Sequence, residues 1–350
     1  MSIEFWQFPK SARKSDLVAC LRGFGFVTCK NPFWPGPPGT VSAFWSEPED
    51  FKSTSGIDAS VFPLDDEAKK TWETSADWGL RTRTSIWATT FDQETQNQVA
   101  RRVRRVYGGY FYNDAAGRCR YTAVHQRTST PASRGIYGVL ARIQSELRNL
   151  EYALPKEEIS SLATPKGVIT PENDEAGILK IVKQADPARV LYNALIPFLV
   201  ACLEHFFRDS FEILLRYDRA ALKRLEGQNR KISLAEVLDI RRGDLALERV
   251  VSGWYSFQNI EGISKAFDDV LGINVWRFLR RRKRVRDRLP VMHSFLDGLI
   301  SSRHGVIHHF EFDRNLDRAT FLTLLEGTAA LIQLAVAEIE KRLGVPIGPG

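Results

Sequence analysis

The strongest constraint on this chain is a change of apolar period part-way along it. From Asp186 to Leu343 apolar residues recur at three- and four-residue intervals, as on one face of an α-helix, and no strand pattern of comparable strength appears. Before residue 155 the pattern is mixed. Between them, Pro155 to Gly177 holds three prolines, two glycines and a run of Ser, Thr, Glu and Asp, and no long apolar periodicity crosses it. The sequence therefore predicts an α+β domain over residues 1–155, a linker over 156–185 and an all-helical domain over 186–350. At 350 residues and 43% hydrophobic content, the chain can fill two cores of ordinary size.

In the first part, aromatic and β-branched runs between turn signals predict strands over Gly23 to Cys29, Thr40 to Trp45, Ile57 to Pro63 and Leu80 to Phe91. Asp92 reads as the N-cap of a helix running to Tyr107 and stopped by Gly108-Gly109. A hairpin around Asn113 to Gly117 follows, then an amphipathic helix over Gly138 to Leu154. In the second part, Asp186-Pro187 is an N-cap followed by proline at the first helical position, opening a helix to Tyr217. Ser233-x-x-Glu236 is a capping box. Further helices are expected over Glu261 to Leu271, through the basic run at 277–288, from Pro290 to His309, and from Asp317 to Leu343 before Gly344.

Four cysteines without C-x-x-C spacing suggest neither a thiolate metal site nor a disulfide framework, and point to a reducing compartment. The N-terminal residues carry no apolar segment of a secretory signal. The apolar run Ala194 to Leu203, bounded by Asn193 and Glu204, is too short to span a bilayer. A cytoplasmic protein without a membrane partner is expected.

Net charge is +7, and its distribution matters more than the total. Arg277 to Arg288 holds eight basic residues against one acid, Asp287. Within it Arg280, Arg281, Arg282, Lys283 and Arg284 are candidate phosphate contacts, although a charge run can equally be a solvated face. Arg101 to Arg105 forms a second basic stretch near Tyr107, Tyr110 and Tyr112. Such interleaving suits single-stranded RNA, but the aromatics of this part serve as readily as core.

The chemistry-bearing segment is Arg303-His304-Gly305-Val306-Ile307-His308-His309. Met292, Phe295, Leu296, Leu299, Ile300, Val306 and Ile307 form an apolar stripe, and Arg303 falls within it. A guanidinium on a packing face is costly unless paired or solvated, so it pairs with a core acid such as Glu204 or serves a site. Histidine takes and gives protons near neutral pH, while arginine stays charged and forks onto phosphate oxygens. On a straight helix, residues five apart point on the order of 140° apart, so Arg303 and His308 converge only if Gly305 loosens the helix or two chains supply them. His309 stands at an alternative spacing. His304 and His308 also have an i,i+4 metal-ligand spacing with Glu311 and Asp313 nearby, but the segment lacks the glutamate of H-E-x-x-H.

Arg303-His304-x-x-x-His308 resembles the R-x(4–6)-H motif of HEPN domains. Leu203 to Asp209 resembles the acidic position on an earlier HEPN helix, and Phe257 to Ile273 is similar to the approach to the motif in RNase LS/LsoA-like families. The resemblance spans roughly Asp186 to Leu343. It implies a helical HEPN-like bundle acting as a metal-independent endoribonuclease, a bacterial toxin or antiviral defence effector that needs no cofactor. Arg303 would hold the phosphate, His308 would be the general acid/base, His304 would take the polar position, and Glu204 would orient Arg303. A homodimer acting on RNA is implied, with an antitoxin or phage trigger as a further partner. The alternatives are a non-catalytic HEPN-like protein that binds RNA or nucleotide or only dimerises, and a metal-dependent hydrolase built on His304 and His308.

Overall fold

The computed structural model describes residues 3–30, 32–113, 117–119, 129–156, 186–228 and 230–348. The expected linker, apart from Lys156 at its start, lies outside these residues, as does the tip of the hairpin at 114–116. The chain divides into two compact units, residues 1–138 with 345–350, and residues 139–344. The division falls inside a helix rather than at residue 155. That helix, Pro131–Tyr152, is continuous from before the boundary to after it, so no turn marks the boundary in the sequence.

The first unit is built on β1 (Ile3–Phe8), α1 (Lys14–Gly23), β2 (Val27–Thr28), β3 (Val41–Trp45), β4 (Ile57–Pro63), α2 (Asp66–Thr71), β5 (Trp78–Thr84), α3 (Thr90–Tyr107), β6 (Tyr110–Asn113) and β7 (Gly117–Cys119). Its strands form one antiparallel sheet in the order β2-β3-β4-β5-β1-β6-β7. Alternation along the strands sends Ile57, Ala59, Val61 and Leu80 to one face, where they pack on Leu17 and Leu21 of α1 and Val99 and Val103 of α3. The opposite face carries an aromatic cluster: Trp6 stacks on Trp72 and meets Trp34 edge-on. On that face Arg81, 5% exposed, forks onto the Glu4 carboxylate with contacts of 2.6 and 3.2 Å, which neutralises the buried guanidinium. Trp6, Trp34, Trp45, Trp72 and Trp78 are half-buried and pack against the cores of this unit rather than within them.

Several expectations change here. The N-cap of α3 is Thr89, with Asp92 at the third helical position completing a reciprocal capping box. β5 ends at Thr84, and Phe91 already lies in α3. Of the expected strand at Gly23 to Cys29 only Val27–Thr28 forms, because Gly23 ends α1. Gly109 is obligatory after α3: its φ is +83°, and a Cβ there would lie 2.0 Å from the Phe8 carbonyl oxygen.

The second unit begins within α4 (Pro131–Tyr152) and continues with α5 (Pro187–Tyr217), α6 (Arg219–Glu226), α7 (Leu234–Arg242), α8 (Leu247–Ser252), α9 (Ile260–Ser264), α10 (Trp276–Leu279), α11 (Met292–His304) and α12 (Arg318–Leu343). α5 is its axis. Asp186 caps it by accepting from the Ala188 N–H at 2.9 Å, Pro187 opens it, and Pro197 is accommodated within it. Apolar residues face several sides, and α8, α11 and α12 pack around it. The core is aromatic, with Phe206, Phe207, Phe211, Phe257, Phe267 and Phe278 almost wholly buried. The capping box at Ser233/Glu236 and the stop at Gly344 form as the sequence predicts. α11 starts at Met292, two residues after Pro290. α5 and α12 are each long and apolar enough to cross a bilayer, a property the shorter run Ala194 to Leu203 did not suggest, yet 56% of each apolar window is buried in the fold.

Cys202 on α5 illustrates how enclosed this core is. Burial, reinforced by the Glu146 carboxylate 3.7 Å away, pushes its thiol up to about 12 from the ordinary 9.0. The thiolate is the reactive form, so Cys202 should resist iodoacetamide in the native protein and react once guanidinium unfolds it, as peptide mass spectrometry would read. The thiol ionises more easily in the unfolded chain. Its contribution to stability is therefore intact below pH 9.0 and lost as pH rises from there towards about 12. Rapid alkylation of native Cys202 would contradict this packing.

Candidate functional site

α11 packs against α5 and α12, and this fixes the direction of Arg303 near its end. Met292, Leu296 and Leu299 are buried along the stripe, as the periodicity requires. Arg303, one turn further, is half-buried, and its guanidinium has no ion pair or hydrogen bond with any described residue. None of its nitrogens is among the buried, unpartnered side-chain atoms of the described residues, so the guanidinium stands at the edge of the packing face with water within reach.

Beyond His304 the helix widens. Gly305–His309 is a π-helical turn closed by a bond from the Phe310 N–H to the Gly305 carbonyl, with Phe310 left-handed at φ 54°. Each residue of such a turn advances by less than the angle of an α-helix, which narrows the divergence between Arg303 and His308. The helix loosens at Gly305, and no described hydrogen bond, ion pair or ring contact joins Arg303 to His308 or His309. The turn gathers the histidines: the ring centres of His304 and His308 are 4.6 Å apart and those of His304 and His309 are 5.3 Å apart. All three rings are exposed. His304 is thus the ring that both of the others contact, and His308 and His309 both remain candidates for the general acid/base. Glu311 folds back over the turn: its carboxylate oxygen is 3.3 Å from where a Cβ on Gly305 would sit. Among the described residues, no group of three His, Cys, Asp or Glu side chains is placed to hold a metal ion.

The loop after the cluster is tied to α5 by a residue the sequence reading passed over. Asn193, almost fully buried, donates to the Asp313 carbonyl at 3.0 Å and accepts from the Asp313 N–H at 2.8 Å. Arg189 donates to the carbonyl of Arg314. The available signal was a carboxamide inside the apolar pattern of α5. A buried amide satisfied on both sides positions a backbone more firmly than apolar packing alone.

Glu204 and the basic run are placed differently from expectation. Glu204 is engaged by Arg208, one turn further along α5, and no described contact joins it to Arg303. The basic run is not a helix. α10 stops at Leu279, and residues 280–291 form a narrow hairpin-like loop with isolated bridges Val285 to Arg288 and Arg282 to Val291. Val285, 3% exposed, pins the loop, and Pro290 would interrupt a helix carried through it into α11. Arg281 turns inward to the buried carboxylate of Glu338 at 2.9 Å, and Arg286 pairs with Glu326 at 2.9 Å. Arg280 lies 5.7 Å from the ring centre of Trp276, and Arg284 donates to the Arg286 carbonyl. The exposed side chains of Arg282 and Lys283 form no ion pair or hydrogen bond with described residues. Because the loop precedes α11 and the histidines end it, about 18 Å of helix separates the two.

Comparison with protein-family models, curated proteins and solved structures returns no match to this chain.

Proposed function

We propose that the helical unit is a HEPN-type, metal-independent endoribonuclease, acting as a toxin or antiviral effector. The observation that carries the reading is the cluster of three imidazoles, one at the end of α11 and two on the π-helical turn that follows, directly after an unengaged, half-buried arginine. Cleavage by the neighbouring 2′-hydroxyl needs no protein nucleophile. One imidazole removes the 2′-hydroxyl proton as O2′ bonds to phosphorus. The P–O5′ bond breaks, and a second imidazole protonates the departing O5′, leaving a 2′,3′-cyclic phosphate and a 5′-hydroxyl. The attacking and leaving oxygens lie on opposite sides of phosphorus, so two groups are needed, which His304 supplies with His308 or His309. Arg303 neutralises the charge that gathers on the non-bridging oxygens.

A homodimer fits the surface around the cluster. Ile307, Phe310 and Phe312 are exposed beside it, as are Val190, Leu191 and Phe198 on α5, the helix to which the loop is tied through Asn193. Exposed large apolar side chains near a site commonly mark a protein interface, and a second copy that covered them would bring two histidine clusters together.

Incubation of the purified protein with total tRNA and mRNA in EDTA, beside an all-deoxy strand, tests the proposal. The expected result is cut RNA bearing 2′,3′-cyclic phosphate and intact DNA, because DNA lacks the attacking hydroxyl. Efficient cutting of the all-deoxy strand would sink this mechanism, and loss of cutting on EDTA addition would favour a metal-dependent hydrolase. One observation favours the alternative of a non-catalytic HEPN-like binding or dimerisation protein: Glu204 is turned to Arg208 and leaves Arg303 without an acid to orient it. RNA retained but never cut would select that alternative.

A further inference from the structure

A separate feature lies in the sheet unit, beside the start of α1. An open groove of about 770 Å3 runs there, with Val18, Val41 and Trp78 lining it as apolar surface and Arg13, Lys14 and Arg22 as cations. Among the described residues, no carboxylate lines it. The nearby acids are committed: Asp16 accepts from the Arg13 backbone N–H at 2.9 Å to cap α1, and Asp77 pairs with Lys69 at 2.7 Å. Lys14 is fixed by donating to the Gly39 carbonyl at 2.7 Å, with its ammonium 5.3 Å from the ring centre of Trp78. The guanidinium groups of Arg13 and Arg22 are exposed and pair with no described acid.

We propose that this groove binds a nucleotide, with the base against Trp78, Val18 and Val41 and the phosphate held by Arg13 and Arg22. The groove is open to solvent along most of its extent and has room for a mononucleotide. The apolar part centres on a planar indole, the kind of surface on which bases settle regardless of sequence. The rim concentrates positive charge with no acid to repel a phosphate, and guanidinium groups bind phosphate in forked pairs. The nucleotide arrives either free or as one unit of an RNA strand, and the chemistry of recognition is the same for both. This assignment does not depend on the ribonuclease reading.

Calorimetric titration of the full chain with AMP, adenosine, inorganic phosphate and a 2′-O-methyl pentanucleotide that cannot be cleaved tests it. AMP or the pentanucleotide should bind saturably, with adenosine and phosphate each weaker by about tenfold or more, since each offers only half of the recognised surface. Arg13→Ser combined with Arg22→Ser should weaken binding by about tenfold or more, and Arg13→Lys with Arg22→Lys should restore part of it. Trp78→Leu should erase the preference for AMP over phosphate. If that variant does not fold, the two surface arginines still decide the matter. Arg303→Ala should bind AMP as the wild type does, which separates this groove from the histidine cluster. Saturable binding of AMP marks a free nucleotide as the ligand, and binding of the pentanucleotide alone marks a nucleotide within a strand. Binding that survives the double serine substitution, phosphate binding as tight as AMP, or no saturable binding of either nucleotide probe would overturn the assignment.

Discussion

Arg303→Ala is expected to slow RNA cleavage by roughly 10²–10³-fold, the cost of removing one preorganised charge from a phosphoryl transition state. Its melting temperature should stay close to that of the wild type, because the guanidinium forms no ion pair or hydrogen bond with described residues that its loss would break. His308→Ala should cost roughly 10²–10⁴-fold, the range for a general acid or base. His304→Ala should be at least as damaging, since both other rings contact it. The double variant Arg303→Ala/His308→Ala should fall short of the product of the single losses, because residues acting on one transition state are not additive. The basic loop should behave differently. Replacing Arg282 and Lys283 with alanine should raise KM and flatten the salt dependence while kcat holds, because these side chains belong to the loop before α11, whose length of about 18 Å separates that loop from His304. Single-turnover cleavage of one labelled RNA by this panel is the measurement. Undiminished cutting by Arg303→Ala would remove the arginine from the mechanism.

How far the sequence foretold this arrangement depends on which physical signal each part relied on. Local signals worked where neighbours in sequence satisfy each other: Asp186-Pro187 and Ser233/Glu236 began helices, and Gly344 ended one. The apolar stripe correctly placed Arg303 on a packing face that it shares with Leu296 and Leu299. Local signals failed where tertiary contacts decide. Ile3–Phe8, an interior strand held between β5 and β6, was missed because its partners lie more than 70 residues away. The basic run read as helix because charge carries no period, whereas Val285 and the inward-turned Arg281 hold it as a loop. The π-helical turn at Gly305 could be stated only as a condition for convergence, since backbone widening leaves no residue signature beyond a glycine of low helix propensity. Glu204 was singled out by the resemblance of Leu203 to Asp209 to the acidic position of an earlier HEPN helix, but Arg208, one turn away on the same helix, engages it. The Asn193 clamp needed knowledge of a loop 120 residues on, which no spacing rule supplies.

Phe211→Ala should be the largest stability defect, costing about 3–5 kcal/mol, as expected for an aromatic removed from a core that cannot collapse around the gap. Phe211 is 0% exposed, and its ring lies 5.5 Å from that of Tyr255, 5.8 Å from Phe257 and 6.3 Å from Phe267. Phe211 itself stands on α5, and its partners come from the turn before α9 and from the π-helical turn Lys265–Leu271 that continues α9, so one deletion loosens three segments at once. For a unit of about this size, such a loss should lower the melting transition by on the order of 10 °C, followed by far-ultraviolet circular dichroism. Phe211→Leu should cost clearly less, because it leaves a smaller void. Phe211 belongs to the opposite half of α5 from Asn193, which holds the loop after the histidines. At temperatures where the variant remains folded, its cleavage rate should therefore match the wild type. The two substitutions form a crossed test: Arg303→Ala removes chemistry and leaves the transition in place, while Phe211→Ala moves the transition and leaves chemistry in place. A Phe211→Ala protein that melts with the wild type would show that the aromatic core of α5 does not hold this unit together.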